Sequence, residues 1–531
     1  MTVRGGRRGA YFVSAGILLS RITGLVRQRV LAHYLGLGDA ADIFTAAFRI
    51  PNFLQNLLGE GALSASFIPS YAKLLGTGDE EEARLLAGAV LALLTVAVAV
   101  IVLLGELATP LLMNLLVSHD WSPEKRAMTE HVVRILFPGA GLLAISAWCL
   151  GVLNSHRRFL LSYASPVVWN GAIVAAALFF ARGAQGGHFV VIVAWGAVAG
   201  SMLQIAVQWP IVRAVGGRIR PVSWRRSPQI KLVVTAFLPN LISRGANQIS
   251  AFIDLYIASA LPIVGAVAAI ANAQVLYTLP VSLFGMAVSA AELPEMARER
   301  GDAATVANAL RIRMTGATQR LAYYIVPSAV GFLTLGGVIA AAVFQTGHFT
   351  EANSRFVWIV LAGSATGLLA STLGRLYAST FYALHDTTTP LKCGVVRVVL
   401  TGILGVLAAL VLPPALGLSP EWGAAGLTAS AGVAGWVEFA LLRHGLFRRI
   451  GRFSIQGTEL LKLWIAAGGA GLAGWLVRTE FLHQLRPIPL ALLAVPANAL
   501  VYLAVTYWWD IPEAAVLTTR IRRTLFSGSL P

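Results

Sequence analysis

The chain has 531 residues, of which 57% are hydrophobic and only 12% charged, and its mean hydropathy is +0.72. Soluble domains usually carry about 25% charged residues, so an ordinary soluble protein is excluded and a polytopic membrane protein is indicated. The formal charge of +17 lies in short stretches between apolar runs, as the positive-inside rule describes, and this placement argues against a nucleic-acid partner.

Apolar runs of about 20 residues, long enough to cross a bilayer, open near 10–34, 42–74, 87–117, 130–153, 160–181, 188–213 and 230–260. They continue near 263–293, 320–345, 354–381, 391–413, 422–443, 459–478 and 487–508. The pattern predicts an all-α polytopic membrane protein of about 14 transmembrane helices. Arg7-Arg8 precedes the first run, but no clear small-residue cleavage site follows, so the segment reads as a retained first helix. Cys149 and Cys393 sit far apart in apolar runs and form no metal or redox spacing.

Cations alternate between connections. One side receives Arg4, Arg7 and Arg8, then Lys73 and Arg84, then Arg157 and Arg158, then Arg213 to Lys231. It also receives Arg298 to Arg313, Arg443 to Arg452, and Arg520 to Arg523. The other side holds only Lys125, Arg126, Arg182, Arg355, Arg478 and Arg486. This bias predicts an even number of helices with both termini in the cytoplasm.

An internal repeat is visible. Residues 62–73 (ALSASFIPSYAK) align with 287–298 (AVSAAELPEMAR), and five positions are identical. Two copies in the same orientation predict two six-helix lobes around a central cavity, followed by a C-terminal helix pair. Gly216-Gly217, Pro221 and Pro228 mark a cationic linker. The expected division is an N-terminal lobe over 1–218, a linker over 219–229, a C-terminal lobe over 230–450, and the last helices with a tail over 451–531.

Charge at membrane depth singles out the first two helices. Arg21, Arg27, Asp42, Arg49 and Glu60 lie in apolar surroundings, where each charge costs at least ~2.5–3.5 kcal/mol. Such groups persist when they face water or each other. In a continuous helix, Arg49, Asn52, Asn56 and Glu60 share one face beside a bend at Pro51. Helix seven adds Asn240, Arg244, Asn247, Gln248 and Asp254, and helix eleven adds Arg397. Asp254 reads as a cation site or as a brace paired with Arg244 or Arg397. Arg21 and Arg27 read as substrate contacts, with interhelical pairing to Asp42 or Glu60 as the alternative.

No nucleotide-binding loop or nucleophilic triad appears, so an enzyme is not expected and neither a metal nor an organic cofactor is called for. The GxGxxG match at Gly469–Gly474 lies inside an apolar run, where close helix packing explains it. His385-Asp386 reads as a turn.

The order of residues from Ser20-Arg21-Ile22-Thr23-Gly24-Leu25-Val26-Arg27 through Arg49-Ile50-Pro51-Asn52 to Glu60-Gly61-Ala62-Leu63-Ser64 resembles the N-terminal signature of the MurJ (MviN) family. Members are bacterial lipid II flippases of the MOP exporter superfamily. Leu136-Phe137-Pro138, Phe344-Gln345-Thr346-Gly347-His348-Phe349 and Tyr382-Ala383-Leu384-His385-Asp386 also resemble family segments, and the resemblance thins after about Arg452.

The resemblance implies a flippase of the bacterial inner membrane that works as a monomer by alternating access. Lipid II is the implied substrate, its polyprenyl tail staying among membrane lipid. Coupling to sodium, protons or the membrane potential is left open. The implied headgroup contacts are Arg21, Arg27 and Arg244 on phosphate, with Asn52, Gln55, Asn56 and Gln274 toward sugar or peptide. Asp42, Arg49, Glu60, Arg375 and Lys392 are implied charge-pair or gating residues, and Asp254 a possible cation site. Three positions depart from the family pattern: Gln55 stands where Arg is usual, Gln274-Val275 replaces an acid–Arg pair, and Gln28 replaces a common acid. These departures keep open a flippase for another polyprenyl-diphosphate glycan, with a cation-coupled antiporter of the same superfamily more distant.

Overall fold

The computed structural model describes residues 3–58, 60–217, 219, 222, 229–299, 302–453, 457–482 and 484–526. The side chains of residues 3–15, 17, 60–62, 64–65, 159–160, 162–163, 236, 238–247, 303 and 520–526 lie outside that description. Helix starts follow from short polar residues at the caps. Asp79 accepts from Glu82 N (3.1 Å), Ser122 from Lys125 N (3.2 Å), Asp302 from Thr305 N (3.0 Å) and Thr350 from Asn353 N (3.3 Å). Among the described residues no strand forms, only the isolated bridge between Thr346 and Phe349.

By contacts the chain divides into two units, Met1–Ala260 with Thr346–Phe349, and Leu261–Gln345 with Thr350–Pro531. The first holds α1 (Val3–Leu35), α2 (Asp39–Leu58), α3 (Glu60–Thr77), α4 (Glu80–Leu107) and α5 (Thr109–Leu116). It continues with α6 (Pro123–Ser155), α7 (Phe159–Ala175), α8 (Gly186–Gly216) and α9 (Ile230–Ser259). The apolar helix α6 is central and packs on α2, α3, α4 and α8, while α1 lies along α7. Phe67, Tyr71, Leu86, Trp148 and Leu153 fill the core between α3, α4 and α6. Because α9 packs on α2 and α3, the contact boundary lies at Ala260, one helix beyond the expected linker.

A polar seam runs through this unit. Gln204 Nε2 donates to Ser146 Oγ (2.8 Å), Ser146 Oγ donates to Gln208 Oε1 (2.7 Å), and Gln208 Nε2 donates to Ser165 Oγ (2.8 Å). All four side chains are buried, so the bonds fix how α6, α7 and α8 meet.

The turn Thr346–Phe349 seats on the C-terminal end of α1. His33 Nδ1 meets Thr346 Oγ1 (2.9 Å), His348 N donates to His33 O (2.9 Å), and His348 Nδ1 donates to Tyr34 O (3.0 Å). Gly347 has φ +55°, and a Cβ there would lie 2.4 Å from His33 O, so only glycine fits.

The second unit holds α10 (Ala266–Pro280), α11 (Ala287–Ala297), α12 (Ala303–Phe344), α13 (Glu351–Ala365), α14 (Leu368–Ala383) and α15 (Thr388–Val406). After α16 (Leu412–Ala415) come α17 (Glu421–Ile450), α18 (Gly457–Phe481), α19 (Pro487–Trp508) and α20 (Pro512–Phe526). The 42-residue α12 packs on α13, α18 and α19, and α17 packs on α13, α14 and α15. The bend of 46° between α13 and α14 has a local cause. A Cβ on Gly432 of α17 would sit 2.8 Å from Gly367 N, so the backbones touch there. Trp436 Nε1 donates to Thr366 O (2.9 Å), satisfying a carbonyl at the break.

Among the described residues nine helical stretches are long and apolar enough to cross a membrane, and the bent α13–α14 pair makes a tenth. The first copy of the internal repeat lies in α3, and the second opens α11 after a wide turn over Val281–Met286.

Candidate functional site

Arg27, Phe48 and Trp169 form the centre of the site in the first unit. The Arg27 Cζ lies 5.0 Å from the Trp169 ring centre and 5.8 Å from that of Phe48. Phe48 stacks on Phe44 (5.7 Å) and meets Trp169 (5.7 Å). Trp169 is fixed in turn, because its Nε1 donates to Ala197 O (3.1 Å) and it rests against Gly200, where a Cβ would be 3.0 Å from Trp169 O. The Arg27 Nε is buried without a hydrogen-bond partner, and among the described residues no carboxylate pairs with Arg27. Aromatic faces thus hold this cation, and no described carboxylate lies against it.

The same two rings wall a cleft with open space of about 280 Å³. Phe48, Pro51, Asn52 and Gln55 line it from α2, Trp169 from α7 and Ser201 from α8, and Leu136, Ala140 and Leu143 of α6 form an apolar wall. Ser201 Oγ donates to Ala197 O (3.0 Å) and keeps lone pairs free to accept. Asn52 and Gln55 make no hydrogen bond to another described residue, so their amides remain available.

The structure separates several residues that the sequence groups. Arg21 and Arg27 are six positions apart, roughly 120° around a helix, and Arg21 is exposed. The expected stripe groups Arg49, Asn52, Asn56 and Glu60. The cleft instead uses the 48–51–52–55 face, so Asn56 is exposed and outside its lining. The side chain of Glu60, like those of Asn240, Arg244 and Asn247, lies outside the described residues.

Charge pairs also differ from expectation. Asp42, expected to pair with Arg21 or Arg27, meets Lys125 Nζ at 2.9 Å, and Lys125 also reaches Asp39 (2.7 Å) and the Trp121 ring (4.0 Å). Arg49 lies within electrostatic range of Asp254. In the second unit Arg397, expected as a partner for Asp254, pairs with Glu438 at 3.2 Å. Gln274 is exposed and donates from Nε2 to Thr278 Oγ1 (3.3 Å). Arg375 and Lys392 are exposed. Asp386 behaves as the turn residue expected, accepting from Thr388 N and Thr389 N (both 2.9 Å) and pairing with Arg449. The Thr389 hydrogen bond holds its carboxyl below the usual carboxylate range. No group of three or more metal-ligating side chains gathers among the described residues.

Lys125, Glu438, Phe48 and Trp169 were not legible as site residues. Phe48 had a weak signal, since it precedes Asn52 by one helical turn. Trp169 had none, because a tryptophan in an apolar run reads as core or interface.

Helices of bilayer length carrying charge at membrane depth define a polytopic membrane transporter. A family model described as lipid II flippase MurJ matches residues 31–495, and the chain belongs to that family. The probable lipid II flippase MurJ of Rhizobium meliloti (strain 1021) is 31% identical over 461 residues, covering 86% of this chain and 83% of that protein. The lipid II flippase MurJ of Burkholderia cenocepacia is 30% identical over 524 residues, covering 94% and 96%. Two solved structures share the fold. A lipid II flippase MurJ in an inward closed conformation matches with a TM-score of 0.74 at 20% identity, covering 94% of this chain and 98% of that one. An inward-facing multidrug resistance MATE family transporter of the MOP superfamily matches with 0.65 at 17% identity, covering 81% and 95%.

Proposed function

We infer that this chain carries lipid II, a polyprenyl-diphosphate glycopeptide, from the cytoplasmic to the periplasmic leaflet of the bacterial inner membrane by alternating access. Membership of the family supports the substrate. At the level of residues, the reading is carried by Arg27, a cation gripped by aromatic rings beside an amide-lined cleft. Desolvating a guanidinium is costly, and a bound diphosphate relieves that cost while matching its fork geometry.

In this reading Arg21 and Arg244 add positive charge, and Asn52, Gln55, Asn56 and Gln274 meet the uncharged parts of the headgroup. Arg49 with Asp254 and Arg397 with Glu438 brace spanning helices, and Asp42 with Lys125 ties α2 to α6. Arg375 and Lys392 contribute charge to gating. The lobes are 1–218 and 230–450, joined by 219–229 and followed by 451–531. Adding α1, α2–α3, α7 and α9 to the ten stretches of membrane length gives fourteen spans with both termini cytoplasmic. The working unit is a monomer, driven by sodium, protons or the membrane potential.

Rescue of a bacterium depleted of its own lipid II flippase tests this reading. The wild-type chain should restore growth, Arg27→Ala should not although it inserts normally, and Arg27→Lys should restore growth partly, because an ammonium lacks the bidentate fork. Full rescue by Arg27→Ala at matched abundance would refute it.

A further inference from the structure

The cleft beside Arg27 has a chemistry of its own. Among the described residues no charged side chain lines it, so nothing described there pairs with a phosphate. Its polar groups are the amides of Asn52 and Gln55 and the Ser201 hydroxyl, set against the apolar surface of Leu136, Ala140 and Leu143. Ser201 has already given its proton to Ala197 O and is left as an acceptor. The two amides each offer N–H donors. The cleft therefore presents an acceptor, several donors and a dry wall within one small space. An acetamido group has the complementary set: one N–H, one carbonyl and one methyl.

Arg27 lies behind the same rings, 5.0 Å and 5.8 Å from the centres of Trp169 and Phe48, so cation and cleft share one wall. In a 2-acetamido sugar 1-phosphate, the acetamido and phosphate groups sit on neighbouring ring carbons. We propose that the cleft is an acetamido subsite that selects polyprenyl diphosphates whose first sugar carries a 2-acetamido group, with the adjoining phosphate on Arg27. This rests on the reading of Arg27 as the diphosphate cation. In the subsite the acetamido N–H donates to Ser201 Oγ, its carbonyl accepts from Asn52 or Gln55, and its methyl meets the α6 wall. Trp169 is a positioning residue that holds Arg27 and the cleft in register through its bond to Ala197.

The test measures binding to the purified full-length protein in detergent. The probes are polyprenyl diphosphates bearing 2-acetamido-2-deoxyglucose, glucose or no sugar. The acetamido lipid should bind roughly tenfold more tightly than the glucose lipid, the effect of one or two neutral hydrogen bonds. Gln55→Leu and Ser201→Ala should bring that ratio toward one, and Arg27→Gln should weaken all three lipids. On the wild-type protein, where folding is not in question, 2-acetamido-2-deoxyglucose 1-phosphate should compete better than glucose 1-phosphate. Equal binding of the two glycolipids, with Arg27→Gln still weakening both, overturns the subsite and leaves the diphosphate reading standing. A tenfold ratio that survives both cleft variants in folded protein also overturns the subsite. If Arg27→Gln weakens none of the lipids, the diphosphate reading fails and the subsite fails with it.

Discussion

Replacing Lys125 by Met should be among the more damaging single changes at the ends of α2 and α6. The Lys125 side chain is 10% exposed and reaches Asp42, which is 2% exposed, at 2.9 Å. Removing the ammonium takes the cation away from a buried carboxylate, and breaking one partner of a buried pair costs about 3–5 kcal/mol. Loss of the stack on Trp121 adds ~0.5–2 kcal/mol. Asp39 is bonded to the same ammonium at 2.7 Å but is 61% exposed, so Asp39→Asn should cost no more than about 1 kcal/mol. Distance alone would rank the Asp39 bond first, and burial reverses the order. Pairing Lys125→Met with Asp42→Asn removes both charges and should recover most of the loss. Chemical denaturation of the detergent-solubilised protein, followed by helical circular dichroism, measures the three variants against the wild type. Equal effects of Asp39→Asn and Lys125→Met, or no recovery in the double variant, would refute the burial argument.

In complementation, Arg397→Leu should impair function and Glu438→Gln should suppress that defect, because the two meet at 3.2 Å; suppression by Asp254→Asn instead would reassign the pair. In cells with a permeable outer envelope and intact inner membrane, an impermeant thiol reagent should label His119→Cys but not Thr77→Cys, and labelling of both would overturn the proposed topology. Asp386 caps α15 as a carboxylate whose pKa is depressed by the Thr389 hydrogen bond. Its contribution is present above the unfolded carboxylate value and lost as pH falls through the depressed one, so Asp386→Asn should flatten the acid limb of a stability–pH curve, and an unchanged limb would count against the cap.

The spans were legible because a bilayer demands long apolar runs, and Arg27, Asn52 and Gln55 stood out because polarity at that depth is rare. Partners were not legible. Asp42 meets Lys125 and Arg397 meets Glu438 across 83 and 41 residues of chain, and one-dimensional spacing carries no record of which helices adjoin. Of the stripe expected on α2, Asn52 lines the cleft while Asn56 is exposed, because the lining follows the 48–51–52–55 face. Trp169 escaped because its role lies in the ring it offers to a residue on another helix.

The turn Thr346–Phe349 is surrounded in sequence by helices of the second unit and yet belongs by contact to the first. A gene cut after Ala260 therefore does not yield two self-contained products. The upstream fragment would lack the four residues that seat on His33 and Tyr34, and the downstream fragment would carry them with nothing to seat on. Co-expressed halves should reassemble better than either folds alone, with Gly347→Val as the substitution that most directly prevents their rejoining.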